Sequence, residues 1–301
     1  MGINDPEAAS NGIYEKLPDV VLREIKKSNY TGEIFVGDQK YGSTKLDQEH
    51  LLGQGLVATA LKIDGNEGVV VKLFPASKEV PNTKTLFSDA VILSHKLQHP
   101  NIAKPEEIGI VRFGNLNVPC TIEERIANDL EEKIKNTPLD TLESIKIIEA
   151  ISSALQYIYQ ETGEIVVDIS PKNIQQRTDG TWCVSDLEGT AKKGSNKKIS
   201  SDEIYSAPEC KYNPNANEEA SEKSMVYSLS LIFWQSLTGK ELTKNINIKG
   251  LNEYVTREDI PEPIFKIIQA GLRMTDEPEI RNPLDLYKKL IAAYETSQEQ
   301  S

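Results

Sequence analysis

The rhythm of the apolar residues changes near residue 125, and that change limits what the chain can fold into. Upstream, from Lys45, apolar residues come in short runs broken by glycine turns. Residues 49–52 lead into Gly53-Gln54-Gly55, residues 57–63 follow, Asp64-Gly65-Asn66 turns the chain, and Gly68 opens Val69-Val70-Val71-Lys72-Leu73-Phe74. Short runs rich in Val and Ile and bounded by Gly and Asn predict three strands, and residues 107–112 and 118–122 predict two more. A helical period over residues 83–97 interrupts them and closes at His99-Pro100. Downstream the spacing becomes three and four. Ile147, Ile148, Ile151, Leu155 and Ile158 share one stripe, which predicts a buried helix over residues 144–159. Further helices are expected over 224–237, 262–271 and 283–294, the last opened by Asn282-Pro283, a proline suited to a first helical turn. Two short β-runs, 165–168 and 182–185, flank a polar loop. A small β-rich half followed by a larger helical half is an α+β chain with two lobes.

Residues 1–43 read as an extension packed on or preceding these lobes, with a helical stretch at 14–27 and a turn at Gly37-Asp38. The lobes take residues 44–126 and 127–295, leaving 296–301 as a tail. The 34 Lys+Arg against 46 Asp+Glu give a formal charge of −12, and no basic face of the kind that binds nucleic acid is visible. No apolar run approaches the ~20 residues needed to span a bilayer. The opening Met1-Gly2-Ile3-Asn4-Asp5-Pro6 lacks the cationic and apolar regions of a secretory signal, and Pro6 does not suit myristoylation. Cys120, Cys183 and Cys210 are widely spaced and odd in number, which points to neither a disulfide framework nor a structural metal and fits a reducing cytoplasm.

Three features could carry chemistry. Glycines at 53 and 55 let the backbone approach a phosphate, since no Cβ shields the N–H groups, although a β-turn needs glycine just as often. Lys72 ends an apolar strand, as a snorkelling lysine does, or as a cation held over the same site as the glycines. Asp168 leaves the run Ile165-Val166-Val167, Asn173 follows it closely, and Asp186 leaves the run Trp182-Cys183-Val184-Ser185. Acidic residues after strands are usually turn formers. Two of them bracketing a hairpin-length insert with an amide oxygen form a set that suits a divalent cation such as Mg²⁺. His50 and His95 read as surface or packing residues, and His99 belongs to its loop.

In this order the pieces resemble the protein kinase family over residues 45–292. The matching residues are Gly53 and Gly55, the Val69–Lys72 strand, Leu97-Gln98-His99-Pro100-Asn101-Ile102, Asp168 to Asn173, Asp186-Leu187-Glu188, Ala207-Pro208-Glu209, the stretch 224–239, and Arg281. The resemblance implies a bilobal fold that binds ATP and Mg²⁺ and phosphorylates a protein hydroxyl. Leu52, Gly53, Gly55, Ala60, Val70 and Lys72 would contact the nucleotide, Lys72 at its α- and β-phosphates. Asn173 and Asp186 would hold Mg²⁺, Asp168 would orient the attacking hydroxyl and accept its proton, and Lys172 would supply charge near the γ-phosphate. Arg281 would pair with Glu209.

The chain departs from the family pattern at several positions. Ala90 stands where a glutamate should pair with Lys72, and Val166-Val167 precede Asp168 in place of His-Arg. Without that arginine, phosphorylation at Thr190, Ser195, Ser200 or Ser201 has no expected acceptor. Ser170 replaces a lysine that Lys172 could stand in for, and Asp202 replaces a threonine. Glu188 replaces a glycine, and Met225 replaces a buried aspartate. Gln175 takes an apolar floor position, while Ala60 and Val70 exchange the usual sizes at conserved total volume. Three readings stand side by side: a divergent kinase acting on serine or threonine (tyrosine left open), a pseudokinase scaffold with or without nucleotide, and a small-molecule phosphotransferase. The acidic variant Asp186-Leu187-Glu188 favours the last, while Ala207-Pro208-Glu209 resembles a peptide-binding architecture.

Overall fold

The computed structural model describes residues 31–47, 49–54, 58–74, 97–103, 105–126, 128–135, 137–187, 190–192, 204–210, 220–240, 242 and 260–299. The helix expected over 14–27 lies outside these residues, as does that over 83–97 apart from Leu97. Two compact units divide the chain: Met1–Gln98 with Ala103–Arg125, and His99–Ile102 with Ile126–Ser301.

In the first unit, β1 (Thr31–Val36), β2 (Gln39–Lys45), β3 (Leu51–Gln54), β4 (Thr59–Ile63), β5 (Asn66–Leu73), β6 (Pro105–Phe113) and β7 (Leu116–Glu124) form one antiparallel sheet. Their order is β2-β1-β6-β7-β5-β4-β3. Side chains alternate across a strand, so Thr59, Leu61 and Ile63 are buried while Ala60 and Lys62 are half-buried. Leu61, Val71 and Ile122 lie directly opposite one another in the register and are fully buried. With Ile34, Val111 and Cys120 they make the core of this unit.

The sheet starts inside the segment read as an extension. The β1–β2 hairpin turns at Gly37, whose φ of 59° is in the left-handed region open to glycine, and β1 pairs with β6. At Gly109 on β6 a Cβ would run into the carbonyl oxygen of Phe35, so the absence of a side chain lets the hairpin lie close. On its other side β2 meets β4 and the turn after it. The Asp64 N–H donates to the Ser43 carbonyl (2.8 Å), and Thr44 Oγ1 donates to the Lys62 carbonyl (2.6 Å). The sheet therefore curls back on itself.

The second unit is mainly helical: α1 (Leu130–Ile134), α2 (Thr141–Thr162), α3 (Glu222–Thr238), α4 (Glu262–Gly271) and α5 (Pro283–Glu299). The stripe from Ile147 to Ile158 is buried on α2 as its period requires. That helix runs past both expected ends. Asp140 caps it by accepting the Glu143 N–H (2.9 Å), and Gly163 ends it at φ 71°. On α3 every residue from Ser224 to Ser236 is buried, the pattern of a helix surrounded by protein. Short strands fill the rest: β8 (Asn128–Asp129), β9 (Glu164–Val166), β10 (Ile174–Gln176), β11 (Trp182–Val184) and β12 (Thr190–Lys192). Strands β11, β10 and β8 form one small sheet, and β12 pairs with β9.

Candidate active site

Each unit carries part of the expected residue set. In the first, the register strings Gly53, Ala60, Lys72 and Thr121 into one row across β3, β4, β5 and β7. Opposed residues in antiparallel strands share a face, so Ala60, Lys72 and Thr121 lie on the side away from Leu61, Val71 and Ile122. Val70, two residues before Lys72, joins that face. Thr121 is 1% exposed and donates its hydroxyl to Glu123 Oε1 at 2.6 Å. Leu52, on β3, is exposed. Gly55 and Ala90 lie outside the described residues.

In the second unit hydrogen bonds tie Asn173 to Asp168 and to Ser185, the residue before Asp186. After β9 the chain passes Asp168 and makes a 3₁₀ turn over Pro171–Asn173, closed by the Asn173 N–H to the Ser170 carbonyl (3.0 Å). The Asn173 side-chain amide donates Nδ2–H to the Asp168 carbonyl (2.9 Å), which draws the loop around itself. Ile174 pairs with Val184, and the Ser185 N–H donates to the Asn173 carbonyl (2.8 Å). Asp186 is therefore one residue beyond a backbone bond to Asn173. Its φ of 57° is unusual for a non-glycine residue. Such outliers persist where the surroundings over-determine them and cluster at functional sites. Because Asn173 spends its N–H₂ on the loop, its carbonyl oxygen remains the donor for a cation. An amide oxygen beside a carboxylate is a hard-oxygen set that fits Mg²⁺, which takes few protein ligands and completes its shell with water and phosphate.

The surroundings explain some departures from the family pattern. Val166 and Val167 are 1% and 5% exposed, so the residues in place of His-Arg are packing groups. Val166 pairs with Thr190, itself buried, and this ties the chain beyond Asp186 to the strand that precedes Asp168. Met225 is fully buried on α3. Gln175 is half-buried on β10, opposite Cys183. Lys172 projects into solvent, its ammonium 3.6 Å from Glu131 on α1. Glu188, Ser195, Ser200, Ser201 and Asp202 lie outside the described residues.

One expected pairing is corrected. Glu209 is bound by Arg273, not Arg281: Arg273 Nη1 donates to Glu209 Oε2 at 2.8 Å and Nη2 to Oε1, a two-point clamp. Ser224 Oγ adds a hydrogen bond to Oε1 at 2.6 Å. Burial pushes the Glu209 carboxyl up, but these donors outweigh it and hold it below the usual carboxylate range. Arg281 reaches Glu279 instead, with its side chain 76% exposed. Arg273 follows the end of α4 at φ 59°, and this backbone turn aims it at Glu209. Spacing alone does not separate two arginines eight positions apart in sequence.

Sequence reading also passed over His50, which is 8% exposed. Its Nδ1 is 2.7 Å from Asp47 Oδ1 and its Nε2 is 2.9 Å from Asp64 Oδ1. Asp47, three residues earlier, was the available signal. His99 behaves as a loop residue should: Nδ1 accepts the Asn101 N–H (3.2 Å), Nε2 faces Ser153 Oγ, and burial pushes its pKa down.

Comparison with known proteins shows the family. A family model described as protein kinase domain matches residues 46–296. Among curated proteins the chain is similar to the cysteine-rich receptor-like protein kinase 10 of Arabidopsis thaliana, with 24% identity over 264 residues. That match covers 78% of this chain, and the chain spans 38% of the relative's length. No helix among the described residues is long and apolar enough to cross a membrane. With a curled antiparallel sheet in one unit, helices in the other, and a family match spanning most of its length, the chain belongs to the protein kinase domain family.

Proposed function

We propose that the chain is an ATP- and Mg²⁺-dependent protein kinase that phosphorylates serine or threonine. The reading is supported by the backbone that ties Asn173 to Asp168 through the Asn173 side-chain amide and to Ser185, the neighbour of Asp186, through the Asn173 carbonyl. A scaffold has no use for that arrangement. When bound, Mg²⁺ would supply positive charge to neutralise the phosphates. Asn173 and Asp186 hold it. Asp168 accepts the hydroxyl proton of the substrate and orients the attack. Lys72 binds the α- and β-phosphates while Ala60, Val70 and Leu52 contact the base, and Gly53 and Gly55 offer backbone N–H groups to phosphate. Lys172 supplies a cation near the transferred group. The partners are protein substrates in the cytoplasm, and nucleic acid is not among them.

The test is transfer of labelled γ-phosphate to a generic protein substrate, with Asp168→Asn as the control. Transfer should fall by about 10³-fold or more in the variant, in the range of a lost catalytic group, while the thermal shift with Mg·ATP stays. Transfer that survives the substitution overturns the assignment. A second reading, a pseudokinase scaffold, draws support from the buried Val166-Val167 pair in place of His-Arg. Its signature is a nucleotide-induced thermal shift without transfer.

A further inference from the structure

The His50 cluster lies where the added hairpin, the β4–β5 turn and the approach to β3 meet, all in the first unit. Both ring nitrogens of His50 face carboxylates, Asp47 at 2.7 Å and Asp64 at 2.9 Å. A neutral imidazole has one N–H and can satisfy only one of them, so this geometry requires the doubly protonated ring. Asp64 also accepts from Ser43 Oγ (2.8 Å) on β2, and Asp47 Oδ1 accepts the His50 N–H (2.8 Å). The His50 carbonyl accepts the Lys62 N–H (2.8 Å) on β4. The other charged group near both aspartates is Lys45, at the end of β2. Three residues after His50 comes Gly53, in the strand that leads into the glycine loop. Strands β1 and β2 precede the span matched by the family model, which starts at residue 46.

We propose that His50 is a positioning residue for the strand carrying Gly53: as an imidazolium between Asp47 and Asp64 it buckles the added hairpin to that strand, and nucleotide binding weakens when that charge is lost. The inference rests on the nucleotide-binding reading above. Burial pushes the His50 pKa down, but the hydrogen bonds to Asp64 and Asp47 prevail and raise it. The charged form is therefore kept above the usual imidazole range, and the buckle opens as pH rises further.

The experiment measures the dissociation constant of Mg·ATP for the full chain and for His50→Gln at half-unit steps from about pH 6 to 9. The ratio of the two constants cancels the titration of ATP itself. At pH 6 the variant should bind about fivefold more weakly than the unsubstituted chain, a fraction of one charge-assisted hydrogen bond, and the two should converge by pH 9. Asp64→Asn, which keeps the shape and removes one charge, should narrow the same pH dependence and serves if His50→Gln does not fold. A ratio that stays constant across the range, with binding intact, overturns the positioning role and leaves the nucleotide reading standing. Absence of Mg·ATP binding at every pH in both proteins overturns the nucleotide reading, and this inference with it.

Discussion

A carboxylate only 3% exposed and clamped by one guanidinium offers a sharp mutational test. Arg273→Ala leaves Glu209 buried and short of its charge partner, which costs about 3 kcal/mol in the usual range for a broken buried pair. Arg281→Ala, at an exposed side chain, should change stability by less than about 0.5 kcal/mol. Urea denaturation of the two variants checks the ranking, and equal losses would reverse the assignment of the clamp. Lys72, Asp168 and Asp186 stand out in the sequence because each follows a recognisable apolar run, and Asn173 by its place after Asp168. Arg273 and His50 do not. Their partners come from distant chain positions, Glu209 for one and Asp64 for the other, and neither spacing nor composition reports on a contact that the fold alone creates.

Among the elements, α3 and α4 approach each other at a point with no room for a side chain. A Cβ on Gly271 would collide with Ser230 Oγ, a hydroxyl that is buried and lacks a hydrogen-bond partner. Gly271→Ala should therefore destabilise by about 1–3 kcal/mol in spite of alanine's better helix propensity. Pairing it with Ser230→Gly should recover part of that loss, with a coupling of about 1 kcal/mol or more in a double-mutant cycle. Simple additivity would show that the two helices move apart freely. The helix α2 was legible from its apolar stripe, but its ends were not: the Asp140 cap and Gly163 carry it past both limits that the stripe suggests. The hairpin was not legible. Strand β2 reads Gln39-Lys40-Tyr41-Gly42-Ser43-Thr44-Lys45, with one large apolar residue and no alternation, as edge strands often are. Its place in the sheet comes from backbone bonds and from the bare Gly109 surface beneath β1, neither of which leaves a hydrophobic pattern.

For the molecule as a whole, two charged clusters bound the pH range of greatest stability. Glu209 has a depressed folded pKa, so its contribution is complete above the unfolded value near 4.5 and is lost as pH falls through the folded one. His50 has a raised folded pKa, so its contribution is complete below about 6.5 and is lost as pH rises through the folded one. Melting temperature measured against pH should therefore peak between about 4.5 and 6.5, and His50→Gln should flatten the alkaline limb only. A melting temperature that keeps climbing to pH 9 would contradict the His50 assignment, and one that does not fall below pH 4.5 would contradict that of Glu209. Transfer activity should also survive phosphatase treatment, since no arginine precedes Asp168 and Thr190 is buried; activity lost with phosphatase and regained on rephosphorylation would count against this. The backbone pairing of Thr190 with Val166 carries one more consequence. Moving residues 190–192 away from Asp168 would first require breaking the backbone pairing that joins them to the strand before it.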